Sequence, residues 1–143
     1  MPYEFLEEIA TADIAFSAWG KDLEETFIAA SDATMNVMVE NLDSLRPLER
    51  REFQLQNEAP DMLLFDLLQE LIYYKDSERL MLRICLIQIK KEDGQYVLKA
   101  VASGEKLDLN RHSTRADVKA VTLHRFHLVK TDQGWKTQII LDI

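Results

Sequence analysis

The sequence predicts a single α+β domain over residues 1–143, with its elements in the order β-β-α-β-α-β-β-β-β. Three observations predict it. Leu23–Asn41 and the run that opens at Pro60 repeat apolar residues at helical spacing. From Leu80 onward the pattern turns to strands and stays there. Asp93-Gly94 falls between two of those strands, which marks a tight hairpin and antiparallel pairing. Helices followed by a run of strands suit a mostly antiparallel sheet with the helices covering one layer. A chain of 143 residues, 47% hydrophobic, can fill one real core.

Pro2–Leu6 and Ile14–Trp19 read as short strands, and Gly20 ends the second. Asp22 followed by Glu25 has the form of a capping box. Behind it Leu23, Phe27, Ala30, Thr34, Met38 and Leu42 share one helical face, widened by Val37 and Val39. Arg51–Gln56 alternates, with Phe53 and Leu55 on one side, as a half-buried strand does. Ala59-Pro60-Asp61 opens the second helix, since proline suits a first helical turn. Leu64, Leu67, Leu68, Leu71 and Ile72 form its stripe, with Glu70, Lys75 and Asp76 set off it. This second helix is expected to be the more deeply packed. Leu80–Lys91 and Tyr96–Ser103 are the hairpin strands, and Gly104–Asp117 is polar and irregular. Val118–Lys130 reads as one strand. Thr131–Gly134 turns it into the last, Trp135–Asp142.

The net charge of −8 is unevenly spread. Up to Lys75 there are 16 acids and 5 bases; after it, 9 acids and 12 bases. An acidic chain is a poor autonomous nucleic-acid binder, because phosphate affinity rests on cations. Cys85 is the only cysteine, so no disulfide forms within one chain, which fits a reducing compartment. It lies in the apolar run LMLRICLIQIK and is expected to be buried and inert. MPYEFLEEIA has no basic leader, and no apolar run reaches the roughly 20 residues of a spanning helix. A soluble cytoplasmic protein without membrane contact is the default.

There is no Gly-rich phosphate loop, Cys-x-x-Cys pair or His-Glu-x-x-His. Three features remain. Asp13, in ATADIAF, is most simply a turn-capping acid at the start of a strand. Within DVKAVTLHRFHLVK, alternation sets His124 on a face with Val118 and Phe126, and Lys119 on the opposite face. A core histidine and a solvated lysine are the plain accounts of these two. The last feature is the chain end: GWKTQIILDI stops on Asp142, beside the main-chain carboxylate of Ile143. Ile139, Ile140 and Leu141 look like an interior strand buried on both faces, so these charges need a donor or a cation. Two oxygen groups here and one acid from elsewhere would suit a hard ion, and Asp13 is the best placed by strand order.

Laid end to end, FLEEIATADIAF, GKDLEETFIAASDATMNVM, MLLFDLLQELIYY, GEKLDLNRH, DVKAVTLH and IILDI resemble the archease family along the whole chain. The most specific matches are Gly104-Glu105, His112, Val118–Thr122, His124 and the terminal Asp142-Ile143. The resemblance implies a small α+β protein that is not itself an enzyme. It implies a partner of the GTP-dependent RNA ligase that joins 3′-phosphate or 2′,3′-cyclic phosphate ends to 5′-hydroxyl ends in tRNA splicing and RNA repair. It further implies that the protein promotes guanylylation and repeated turnover of that ligase and loosens its nucleotide specificity. RNA would be met only through the ligase. An older idea in the family is a chaperone-like modulator of tRNA-modifying enzymes.

By resemblance, Asp13, Asp142 and the Ile143 chain end make a divalent-metal site for Ca²⁺, or for Mg²⁺ or Mn²⁺. Lys119 matches a lysine expected to meet phosphate or a ligase carboxylate, and His112 and His124 match recurring positions that are further contact candidates. Two positions depart from the pattern: Ala10 stands where a histidine is frequent, and Ala15 where a glycine is. Two other functions stay open. One is a chaperone-like binding module without effect on ligation. The other is a stand-alone metal-dependent phosphoesterase, which would lack an evident general base. Long apolar strands can also pair at their edges, so a homo-oligomer is open.

Overall fold

The computed structural model describes residues 2–6 and 13–143, so Ala10 lies outside the described residues. Asp22 starts the first helix as expected, its Oδ1 accepting the Glu25 N–H at 2.8 Å. Helix α1 (Leu23–Met38) then runs between two sheets, packing on strands of both. Helix α2 (Pro60–Glu78) opens on its proline and closes on Arg79, which is left-handed at φ 55°.

The first sheet holds β1 (Tyr3–Phe5), β2 (Asp13–Gly20), β6 (Ala120–Val121), β7 (His127–Thr131) and β8 (Gly134–Asp142). The order is β1-β2-β8-β6, and β7 lies along the same edge of β8 as β6. The second sheet is β3 (Glu49–Asn57), β5 (Gln95–Lys106) and β4 (Leu80–Glu92), with β5 in the middle. All pairs are antiparallel. The β4–β5 hairpin turns at Asp93 (φ 49°) and Gly94 (φ 77°), the positive angles that an Asp-Gly turn supplies. One apolar cluster joins the inner faces of both sheets to both helices.

The α+β class, the two helices and the antiparallel pairing stand as expected, and five details differ. The more deeply packed helix is α1, buried from Thr26 to Met38 with two exceptions, Ile28 and Asp32. Its small side chains let it fit between two sheets. Ser31 and Thr34 return their hydroxyls to the Phe27 and Ala30 carbonyls at 2.8 and 2.9 Å, so they bury without an orphaned donor. Lys75 is not off the α2 stripe: it lies one turn beyond Leu71 and is buried.

Cys85 is exposed, not buried. The β4–β5 register slips between Ile84 and Leu86, and this bulge turns Cys85 outward, its Sγ 2.9 Å from Ser103 Oγ. Strand β5 continues to Lys106, carrying Gly104 and Glu105 into the interior. The expected strand Val118–Lys130 is broken into β6 and β7 by a turn at His124-Arg125, where Arg125 has φ 55°. No helix among the described residues is long and apolar enough to cross a membrane.

Candidate functional site

Strand β8 is the central strand at this end of the molecule. Ile139, Ile140 and Leu141 are buried, as expected of a strand paired on both edges. On one side its register sets Asp142 opposite Asp13 and Leu141 opposite Ile14. On the other it sets Asp142 opposite Ala120. The backbone bonds reveal which kind of pair the two acids form. The Asp142 carbonyl is used toward the β6 side, accepting the Lys119 N–H at 2.8 Å. Ala15, two residues along β2 from Asp13, uses its carbonyl toward β1, accepting the Leu6 N–H at 2.8 Å. Asp13 and Asp142 therefore face each other as a pair without backbone bonds between them. In such a pair the Cα atoms lie only about 4.5 Å apart and the side chains are closest.

Both acids are half-buried, and so is Ile143. Among the described residues neither acid has a basic ion-pair partner. Adjacent like charges on paired strands are unfavourable. The donor set is all carboxylate oxygen, which suits a hard divalent cation. Among the described residues no group of three His, Cys, Asp or Glu side chains comes together. Asp13 and Asp142 alone would supply only part of an oxygen shell of six to eight.

Lys119 is exposed beside this end, tied to it by the backbone bond to Asp142. His124 is exposed in the β6–β7 turn, so it shares no strand face with Val118 and Phe126. His112 is elsewhere, 3% exposed and turned inward. Its Nδ1 accepts the Asp108 N–H at 2.9 Å, which leaves the proton on Nε2, 3.0 Å from Glu105 Oε1. Ala15, the second departure from the family pattern, is fully buried opposite Ile140.

The pattern of residues missed Glu105. It is 4% exposed and accepts from Arg46 twice, through backbone N–H at 2.7 Å and Nε at 2.9 Å, and also from Arg111. Burial alone would raise its pKa. The bonds from Arg46 and Arg111 outweigh that and hold it at about 2. The available signal was the family match at Gly104-Glu105; in the structure an added Cβ at Gly104 would meet the Met81 carbonyl oxygen at 1.7 Å, so β5 packs closely against β4 there. A cleft of about 780 Å³ lies at the far end of the β2–β8 ladder, between Trp19, Trp135, Lys21 and Lys136. None of Asp13, Asp142, Ile143, Lys119, His112 and His124 lines it.

What these features define is a small two-sheet α+β domain that presents a paired-acid strand end beside a lysine. The family follows from comparison: residues 3–143 match the model of the Archease protein family (MTH1598/TM1083), and the chain belongs to that family. It is 38% identical over 142 residues to the protein archease of Methanosarcina mazei, covering 99% of this chain and 95% of the relative. It is also 38% identical over 134 residues to that of Pyrococcus abyssi, covering 93% and 94%. The fold matches the solution structure of Methanobacterium thermoautotrophicum protein 1598 at TM-score 0.85 and 33% identity over 99% of both chains. A crystal structure from Thermotoga maritima, described as an archease and possible chaperone, shares the fold at TM-score 0.65, 20% identity and 98% coverage of both chains.

Proposed function

We propose that this protein activates the GTP-dependent RNA ligase that joins 3′-phosphate or 2′,3′-cyclic phosphate ends to 5′-hydroxyl ends, promoting its guanylylation and repeated turnover. The observation that carries the proposal is the facing pair of Asp13 and Asp142, without a basic partner among the described residues, beside the Ile143 chain end. The ligase as partner is what the archease resemblance implies, and the possible-chaperone description of the Thermotoga maritima protein supports the coarser reading of action on another protein.

Asp13, Asp142 and the Ile143 carboxylate would hold a divalent cation, Ca²⁺, Mg²⁺ or Mn²⁺. Such an ion, when bound, neutralises oxygen charge at a transferring phosphoryl group. The chain's own residues do the rest. The β2–β8 ladder fixes the two carboxylates on one face, so they are presented with little reorganisation. Lys119, exposed beside them, supplies a cation for a phosphate or a ligase carboxylate. His124 is exposed and free to contact the partner, whereas the ring of His112 is buried beside Glu105 and is not presented to one.

The test is ligase guanylylation with labelled GTP and a divalent metal, the cognate ligase being in large excess over this protein. Wild type should drive many ligase molecules per molecule of activator, and Asp142→Ala should lose that effect while staying folded. Full activation by folded Asp142→Ala would sink the acidic-tip mechanism. No activation by folded wild type would move the weight to a chaperone-like module, whose sign is stable association without faster ligation.

A further inference from the structure

Lys75 is a charged residue buried where α2 ends, with 8% of its surface exposed. Its Nζ donates to the Val118 carbonyl at 2.7 Å and to Asp117 Oδ1 at 2.8 Å, and it pairs with Asp76. The Val118 carbonyl and the Lys119 N–H belong to one peptide group. That N–H donates to the Asp142 carbonyl at 2.8 Å. A single planar unit therefore spans the gap between a buried ammonium and the acidic end of β8.

An ammonium on the carbonyl oxygen polarises the peptide and strengthens its N–H as a donor. Val118 is fully buried, so its carbonyl has no water to turn to if the lysine is removed. Burial by itself pulls the ammonium pKa down. The bonds to Asp117 and Asp76 more than offset it and hold the pKa above its ordinary value, so Lys75 is charged at neutral pH. Asp117 and Asp76 are both well exposed, so neither needs this lysine to avoid a buried charge. The bond that matters to the interior is the one to Val118.

We infer that Lys75 is a positioning residue for the acidic strand end: it fixes the Val118–Lys119 peptide and so keeps Lys119 beside Asp142. The inference rests on the proposed reading of that end as a metal- and partner-binding tip. Lys75 itself touches neither ion nor partner there.

Two readouts test it without the ligase: amide hydrogen exchange and Tb³⁺ luminescence titration, on wild type, Lys75→Met and Lys75→Arg. In Lys75→Met the Lys119 amide should exchange about tenfold faster, the loss of one charge-assisted bond. The Thr122 amide is the internal reference, because it donates to Ile140 on the same β6–β8 edge at 3.0 Å. It should change by less than about threefold. Tb³⁺ affinity should fall severalfold, and Lys75→Arg, which keeps a charged donor, should lie between. Equal loosening of Lys119 and Thr122 overturns the inference, because that reports only a weaker fold. Unchanged Lys119 exchange, or unchanged Tb³⁺ affinity, overturns it too. If wild type takes up no Tb³⁺, the metal reading fails and the exchange comparison alone decides on Lys75. Should Lys75→Met not fold, Lys75→Arg carries the same comparison, with a smaller selective effect expected and a uniform one fatal.

Discussion

Glu105 and the Asp13–Asp142 pair are acids built to opposite plans. Glu105 is 4% exposed and is matched by Arg46 and Arg111, so its charge is used up inside the protein. Asp13 and Asp142 face each other at the closest strand spacing, and among the described residues no cation is assigned to them. A buried carboxylate must be compensated for the chain to fold at all. A half-buried pair left to its own repulsion is not something folding requires. The difference teaches where to look for function: the compensated acid belongs to the fold, and the uncompensated pair is open to an outside cation.

The largest effect that would break this comparison is at Glu105. Glu105→Ala removes the acceptor for the Arg46 N–H and for two guanidinium groups. Both arginine side chains are partly exposed and can turn to water, which limits the cost. A loss of about 3 kcal/mol is expected, read by denaturant unfolding. A loss below about 0.5 kcal/mol would put Glu105 in the same class as the tip acids.

Acid titration sharpens the same point. The Glu105 pKa is lowered from 4.5 to about 2, so the folded state favours its ionised form. A depressed carboxyl contributes stability that is present above pH 4.5 and is lost as pH falls from there through about 2. Wild type should therefore lose stability over that window more steeply than Glu105→Gln, which has no group to protonate. Parallel curves for the two proteins would mean that Glu105 is not the acid-sensitive bond.

The contrast was half legible in the sequence. The helices, the Asp-Gly hairpin and the neighbouring positions of Asp13 and Asp142 follow from local pattern and strand order. Glu105 was hidden because a polar run from Gly104 looks irregular, and only the tertiary fit of Gly104 against Met81 shows that β5 continues. Lys75 reads as off the stripe because a charge ordinarily faces water, whereas its spacing from Leu71 keeps it on the buried face. Cys85 turned outward through one inserted residue, which no alternation pattern can display. The break at His124-Arg125 needs a positive φ at an arginine, and nothing in that residue type announces it. The misses share a cause: each is decided by what another element presses against the residue.

The smallest stability effect is expected at the tip, and its sign is the informative part. Asp142→Asn keeps the shape and removes one of two facing charges. Without divalent ions it should leave stability unchanged or raise it by up to about 0.5 kcal/mol, since a repulsion is relieved and no basic partner among the described residues is lost. With divalent ions the order should reverse. An ion that binds only the folded wild type adds about 2.7 kcal/mol at one hundred times its dissociation constant, and Asp142→Asn should gain much less. Thermal unfolding of both proteins, with chelator and with Ca²⁺, Mg²⁺ or Mn²⁺ in turn, gives the four quantities needed for each ion. A destabilised mutant in chelator would mean that Asp142 already has a partner inside the protein. An equal gain from the ion in both proteins would place the cation elsewhere. The crossing of the two orders is the outcome that separates an acid kept for folding from an acid kept for binding.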